Sequence, residues 1–270
     1  MLNIEDKIAE AAISVGKETA TDIVKPTAKS IGENIGLLVD GVMGWLGYWG
    51  KKQQIKRKVY LEDYKDKIIN EIMFVPQENL IEPPIRIIGP AIEASKFFIE
   101  DETCRKMFSK LIGSACNSSL INYTHPSFIE IIKGLSPIEA KILLLFKKHR
   151  TYPAIELEER HSDGTITPFT QMLFDFKEYN KRFSIEEQFV LTKAIDNLLR
   201  FGLIKKNSDV IELNYNYEDF KSHPLYNIEK STTKQNSKIN MKKYRIELTE
   251  FGKDFVKCCI SEENIAILDK

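Results

Sequence analysis

Apolar positions in this chain recur mostly about every three to four residues, the spacing of helices that bury one face. Residues 3–24 are expected to form an amphipathic helix, opened by Asn3 with Asp6 three positions on, which Pro26 ends or bends. A second helical pattern follows from about Thr27 to Gly50. At about 100° per residue, Ile31, Ile35, Leu38, Val39, Val42, Trp45, Leu46 and Trp49 fall within an arc of roughly 120°, with Glu33 and Asp40 pointing away. This helix is expected to run on through a basic cluster into VYLEDYKDKIINEIMFV, where Tyr60, Tyr64, Ile68 and Ile72 recur at i+4, until Pro76 breaks it.

In the centre of the chain Pro83, Pro84 and Pro90 punctuate two helical stretches, and Asp101 is placed to cap the second. A helix from Pro126 to about Lys133 stops at Gly134. Ser136, Pro137 and Glu139 then supply an N-cap, a proline at the first helical position and a capping-box acid. From Ala154 short alternating stretches such as AIELEE appear. Ser184 with Glu187 opens a further helix, and Gly202 sits where its C-terminal cap belongs. Leu203-Ile204, VIEL at 210–213, a loop over 214–243, YRIEL at 244–248 and a helix from Thr249 complete the pattern. Helix, short strand, loop, strand is the order of a winged helix-turn-helix, with 138–149 as its first element and 185–201 as its recognition-type helix.

The expected fold is therefore mainly α: an N-terminal helical region with a Gly-rich amphipathic helix, central helices, and a C-terminal winged-helix-like α+β domain. The divisions fall at 1–76, 77–135 and 136–260, the last with the long loop 214–243, followed by a tail at 261–270.

Charge changes the picture by what it excludes. Lys+Arg and Asp+Glu each number 39, so no global field steers the chain to nucleic acid or anionic lipid, and any such attraction is local. The four cysteines (Cys104, Cys116, Cys258, Cys259) have no metal-ligand spacing and are expected as buried thiols in a reducing cytoplasm. The N-terminus lacks a continuous apolar core for a signal peptide.

The glycine-rich stretch is where the chemistry is unusual. Six of the thirteen glycines lie between Gly32 and Gly50, and each costs about 0.8–1.0 kcal/mol relative to alanine inside a helix. Close helix packing, membrane-surface use and a loosened hinge all remain open as reasons. A plain membrane span is not expected, since the sixteen residues from Ile35 to Gly50 include Asp40 and a span needs about twenty apolar residues. The layout does match an interfacial helix, for which Ile35, Leu38, Val42, Trp45, Leu46 and Trp49 form the apolar face. Lys51, Lys52, Lys56, Arg57 and Lys58 form the lipid-facing cations.

A nucleic-acid reading has its own candidates: Lys193 and Arg200 on the recognition-type helix, and Lys234, Lys238, Lys242 and Lys243 near the wing. Glu186, Glu187 and Asp196 offset the first pair. Nucleophile elbows, phosphate loops, dinucleotide fingerprints and HExxH pairs are absent. The four histidines are scattered, Glu156 and Glu158 share a strand face without a third ligand, and Asp209-Glu212-Asn214 only faintly matches a metal-nuclease strand. No catalytic or metal-ligating residue is assigned, no cofactor is expected, and the chain is read as non-enzymatic.

Several segments together resemble the abortive infection alpha (Abi-alpha) family. PTAKSIG at 26–32 resembles its N-terminal region, AIEASKFFIEDETCRKMFSKLIGSA at 91–115 its central helices, and HPSFIEIIKGLSPIEAKIL at 125–143 its most distinctive stretch. NLLRFGLI at 197–204 and LTEFGKDFVKCC at 248–259 are similar to its C-terminal end. The resemblance implies a bacterial antiphage protein of the abortive-infection type. Joined to the helix at 27–58, it implies a cytoplasmic protein that associates with the membrane on activation. The expected partners are inner-membrane anionic lipid, a phage protein as trigger, and a second copy of itself; the alternatives are a winged-helix nucleic-acid-binding protein or regulator, and a scaffold that recognises a phage protein.

Overall fold

The computed structural model describes residues 26–44, 51–174, 185–208, 211–233 and 236–260. Among these, the chain is mostly helical with one antiparallel sheet in its C-terminal half, and it divides into two compact units. The first comprises residues 1–135 with 254–270, and the second residues 136–253. The expected helix at 3–24, the opening cap at Ser184 and the tail at 261–270 lie outside the described residues.

The first unit contains α1 (Pro26–Gly44), α2 (Lys51–Met73), α3 (Ile85–Ser95), α4 (Glu102–Ala115) and α5 (Ser127–Gly134). The i+4 stripe on α2 buries Tyr64, Ile68 and Ile72. α2 lies close against α4, because a Cβ on Gly113 would meet the Cβ of Glu71 at 2.6 Å. Asp101 caps α4 as expected, its Oδ1 accepting the Cys104 N–H at 2.9 Å. α3 differs from expectation: it runs through Pro90 rather than stopping there. The proline forfeits one helical hydrogen bond, but Ile87, Ile88, Ala91 and Ile92 are all buried and hold both halves of the helix in place. Phe128 of α5 packs edge-on to Phe255 at 5.2 Å, so the last stretch of the chain joins this core.

The second unit opens with α6 (Pro137–Lys148), whose Ser136–Glu139 capping box forms as the sequence predicts. Then come β1 (Thr151–His161), β2 (Ile166–Phe174), α7 (Ile185–Arg200), β3 (Ile204–Asn207), a 3-10 turn (Tyr217–Ser222), α8 (Pro224–Thr232), β4 (Ser237–Leu248) and α9 (Glu250–Cys259), which continues into the first unit. The sheet order is β2-β1-β4-β3, with every pairing antiparallel. Ile155, Leu157 and Leu173 meet Tyr215, Tyr217, Phe220 and Leu225 in one apolar cluster. Buried Glu139 also accepts Asn197 Nδ2 at 2.6 Å, linking α6 to α7.

Two motifs from the C-terminal region lock onto each other. Gly202 adopts φ +67° after α7, where the N–H groups of Leu203 and Gly202 return to the carbonyls of Leu198 and Leu199. Thr249 then binds that turn, donating its N–H to Leu203 O at 3.0 Å and its hydroxyl to Gly202 O at 2.6 Å. Gly252 lies directly against the same Leu203 carbonyl.

The winged-helix details of the expected order are not confirmed. A helix-turn-helix joins its helices by a turn of about three or four residues, whereas the β1–β2 hairpin stands between α6 and α7. The expected loop at 214–243 holds the 3-10 turn, α8 and the first half of β4, and residues 211–213 of VIEL are not a strand. The stretch of β4 before Tyr244 carries the exposed Lys238, Lys242 and Lys243, and alternate residues are buried only later, at Tyr244 and Ile246.

Candidate functional site

The chemistry singled out by the sequence centres on α1. Its apolar stripe divides in the folded chain: Ile31, Ile35 and Val39 are buried, while Leu38 is 40% and Leu37 70% exposed. Gly32 and Gly36 are buried beside the inward residues. Asp40, which counted against a membrane span, forms an ion pair with Lys65 of α2 and keeps half of its side chain in water. Gly41 has nothing within 4 Å of where a Cβ would stand, so within the described fold no packing contact requires glycine there.

A groove of about 500 Å³ runs between α1 and the start of α3. Ile31, Ile35 and Leu38 form one wall, Pro83, Ile85 and Ile88 the other, and Ser30, Asn34 and Glu82 add polar groups. Ile85 is itself 69% exposed. The sequence signalled the α1 wall by periodicity. It did not signal the second wall, because prolines at 83 and 84 read as punctuation and the two segments lie some fifty residues apart.

Of the other membrane candidates, Lys58 is exposed. Trp45, Leu46 and Trp49 lie outside the described residues. Val42, Lys51, Lys52, Lys56 and Arg57 are placed on helices α1 and α2, their side chains lying outside the described part. No described helix is long and apolar enough to cross a membrane.

The nucleic-acid candidates are dispersed rather than gathered. Arg200 donates to Asn197 Oδ1 from both Nε and Nη2 and lies over the Phe201 ring, while Lys193 is exposed. Lys238, Lys242 and Lys243 sit on β4, and Lys234 is outside the described residues. Lys242 stands opposite Glu156 of β1, and Lys243 opposite Ile155, which places it over Tyr217 on the other face. Glu156 also takes Lys206 at 2.6 Å and the Tyr244 hydroxyl at 2.7 Å. Burial pushes the Glu156 carboxyl upward, but those two hydrogen bonds together with the charges of Lys206 and Lys242 outweigh it and hold the group below the ordinary carboxylate range. Acids thus interleave with the lysines on this face, which reduces its pull on phosphate.

Reactive groups are occupied by structure. Burial pushes the thiols of Cys104, Cys116 and Cys258 up to about 12, and that of Cys259 upward as well. His125 Nδ1 accepts the Ser127 N–H at 3.1 Å, and His223 Nδ1 that of Leu225 at 3.2 Å. His161 holds Ser237 and Thr167 hydroxyls at 2.8 Å on its two ring nitrogens, and His149 packs edge-on to Tyr152. Glu212 accepts the Thr151 hydroxyl at 2.7 Å. Among the described residues no three His, Cys, Asp or Glu side chains gather as a metal site.

A family model described as abortive infection alpha matches residues 56–259. No curated protein and no solved structure matches the chain. The match takes in α3 to α9 with both interlocking motifs, and begins after α1 and the PTAKSIG segment.

Proposed function

The chain belongs to the abortive infection alpha family, and from that premise we propose that it is a bacterial antiphage protein that acts without catalysis, through membrane association of residues 27–58. The matched region forms the folded platform, and α1 is the part it holds and releases. In the released form Ile35, Leu38, Val42, Trp45, Leu46 and Trp49 would enter the lipid interface, and Lys51, Lys52, Lys56, Arg57 and Lys58 would meet anionic headgroups.

The observation that carries this reading is the division of the α1 stripe. Three buried side chains (Ile31, Ile35 and Val39) and a half-solvated Asp40–Lys65 pair hold the helix, while Leu37 and Leu38 are already outside. Fully burying such a side chain is worth about 1.5–3 kcal/mol, so holding α1 and inserting its apolar face into an interface are contests of similar size. An exposed Gly41 with no packing duty fits a surface kept smooth for contacts outside this fold. A membrane-bound form that packs copies together, and a phage protein that triggers release, belong to the same proposal.

The nucleic-acid alternative draws less support, because acids of β1 interleave with the lysines of β4. The test is a phage challenge in cells carrying the wild type, Leu38→Glu or Asp40→Lys. Asp40→Lys repels Lys65 and frees α1, so cells should lose viability without phage. Leu38→Glu spoils the apolar face and should lose protection at normal protein level. Full protection by Leu38→Glu would refute the role of α1.

A further inference from the structure

The groove between α1 and α3 lies within the first unit, and its volume of about 500 Å³ falls in the range of small-molecule clefts, about 300–1,000 Å³. Ile31, Ile35 and Ile88 are buried in it, while Leu38 and Ile85 keep 40% and 69% of their surface in water. Ser30, Asn34 and Leu38 follow one another at i+4, so the α1 wall passes from polar to apolar over about 12 Å. Glu82 adds a carboxylate, and no lysine or arginine stands among the described residues of the lining. Ser30, Asn34 and Glu82 are exposed, and their side chains have no hydrogen bond or ion pair among the described residues.

We propose that this groove binds a small amphiphile, an apolar chain that ends in a primary ammonium group. The chain covers the solvated faces of Leu38 and Ile85 against the isoleucines beneath them, which supplies the hydrophobic drive. The head group is set by the polar lining. An ammonium brings three donors and no acceptor, and the oxygens of Ser30, Asn34 and Glu82 are acceptors without a partner in the described fold. A carboxylate or phosphate head would instead meet Glu82 with like charge and find no cation among the described lining. Lys+Arg and Asp+Glu are equal in number over the chain, so a preference for a cationic head is local to the groove. Because the bound amphiphile touches both α1 and α3, it holds α1 in its docked position by mass action and opposes its release.

The test uses the purified full chain without lipid, so its failure leaves the membrane reading standing. Nile red, a neutral dye, reports apolar binding by its fluorescence, and octylamine, octanol and octanoate compete for it. Octylamine should displace the dye at a concentration at least about fivefold below that of octanoate. Glu82→Gln should bring the two within about twofold of each other and leave competition by octanol unchanged. Asn34→Trp, at a solvent-facing position of α1, fills the groove and should lower dye uptake at least about fivefold. Dye that is not taken up, octanoate that competes as well as octylamine, or uptake indifferent to Asn34→Trp would each overturn the proposal. An octylamine preference that survives Glu82→Gln would overturn it as well.

Discussion

Gly252→Ala isolates one close approach in the fold. The added Cβ would stand 1.8 Å from Leu203 O, 2.7 Å from its carbonyl carbon and 3.1 Å from its Cα. These are backbone atoms, and the same carbonyl accepts the Thr249 N–H at 3.0 Å, so it cannot swing away without breaking that hydrogen bond to the residue that precedes α9. Overpacking typically costs about 1–3 kcal/mol, and more where backbone must move. A 1.8 Å approach to backbone lies at or just beyond the top of that range, about 3–4 kcal/mol. Alanine returns about 0.8–1.0 kcal/mol of helix propensity, leaving a net loss of roughly 2–3 kcal/mol. At roughly 2–4 °C per kcal/mol for a chain of this size, the melting temperature should fall by about 5–10 °C. Gly41→Ala is the matched control. Its Cβ meets nothing within 4 Å, so the same chemical change should stabilise by about 0.5–1 kcal/mol. Urea unfolding followed by far-UV circular dichroism reads both, since it follows the helices of both units. A Gly252→Ala protein as stable as wild type, or a Gly41→Ala protein equally damaged, would refute the reasoning.

Four further outcomes are expected. Arg105 is buried, donates to Asp63 at 2.7 Å and to the Ile99 carbonyl at 2.5 Å, and lies over Tyr60. Arg105→Ala should cost about 2–3 kcal/mol in urea unfolding, below the full cost of a broken buried pair because Asp63 is a third exposed and keeps Lys67. The Tyr64 hydroxyl is buried with no hydrogen bond of normal geometry, since the Ser95 hydroxyl beside it donates to the Ile92 carbonyl at 2.8 Å, and burial pushes its ionisation upward; Tyr64→Phe should leave stability unchanged or raise it by up to about 1 kcal/mol. Burial lowers the His223 pKa, so the folded chain binds its proton less readily than the unfolded chain. The stability it confers is present above the unfolded value near about 6.5 and is lost as pH falls below it; His223→Asn, which keeps the cap of α8, should flatten that part of the pH profile of the urea midpoint. Folded protein should react with a thiol reagent at pH 8 only as it unfolds, because all four cysteines are buried; a fast-reacting thiol would contradict the packing around Cys104, Cys116, Cys258 and Cys259.

What could be read from the sequence was local. Asp101, the Ser136–Glu139 box and Gly202 act through hydrogen bonds within a few residues, and each sits where its residue type predicts. Long-range pairing was hidden. β4 buries alternate residues only at Tyr244 and Ile246, and exposed Lys238, Lys242 and Lys243 made the stretch before them resemble a polar loop. α8 starts with His223 as cap and Pro224 at its first position, a weaker start signal than serine or aspartate. The order helix, short strand, strand over 185–248 was legible, but the β1–β2 hairpin ahead of it was not, because β1 carries Pro153 in a strand the periodicity alone does not fix. At the candidate site, the buried half of α1 was legible as a stripe. The groove beside it was not, since its other wall comes from Pro83, Ile85 and Ile88 and exists only once α1 and α3 are packed.

The central claim is that α1 with its basic neighbour meets the membrane during defence. It is tested most directly by fractionating cells before and after phage challenge, with the wild type beside a Trp45→Glu/Trp49→Glu variant. The account predicts that wild type moves into the membrane fraction on infection while the variant stays in the supernatant and protection is lost. Wild type that protects while remaining in the supernatant throughout would contradict it.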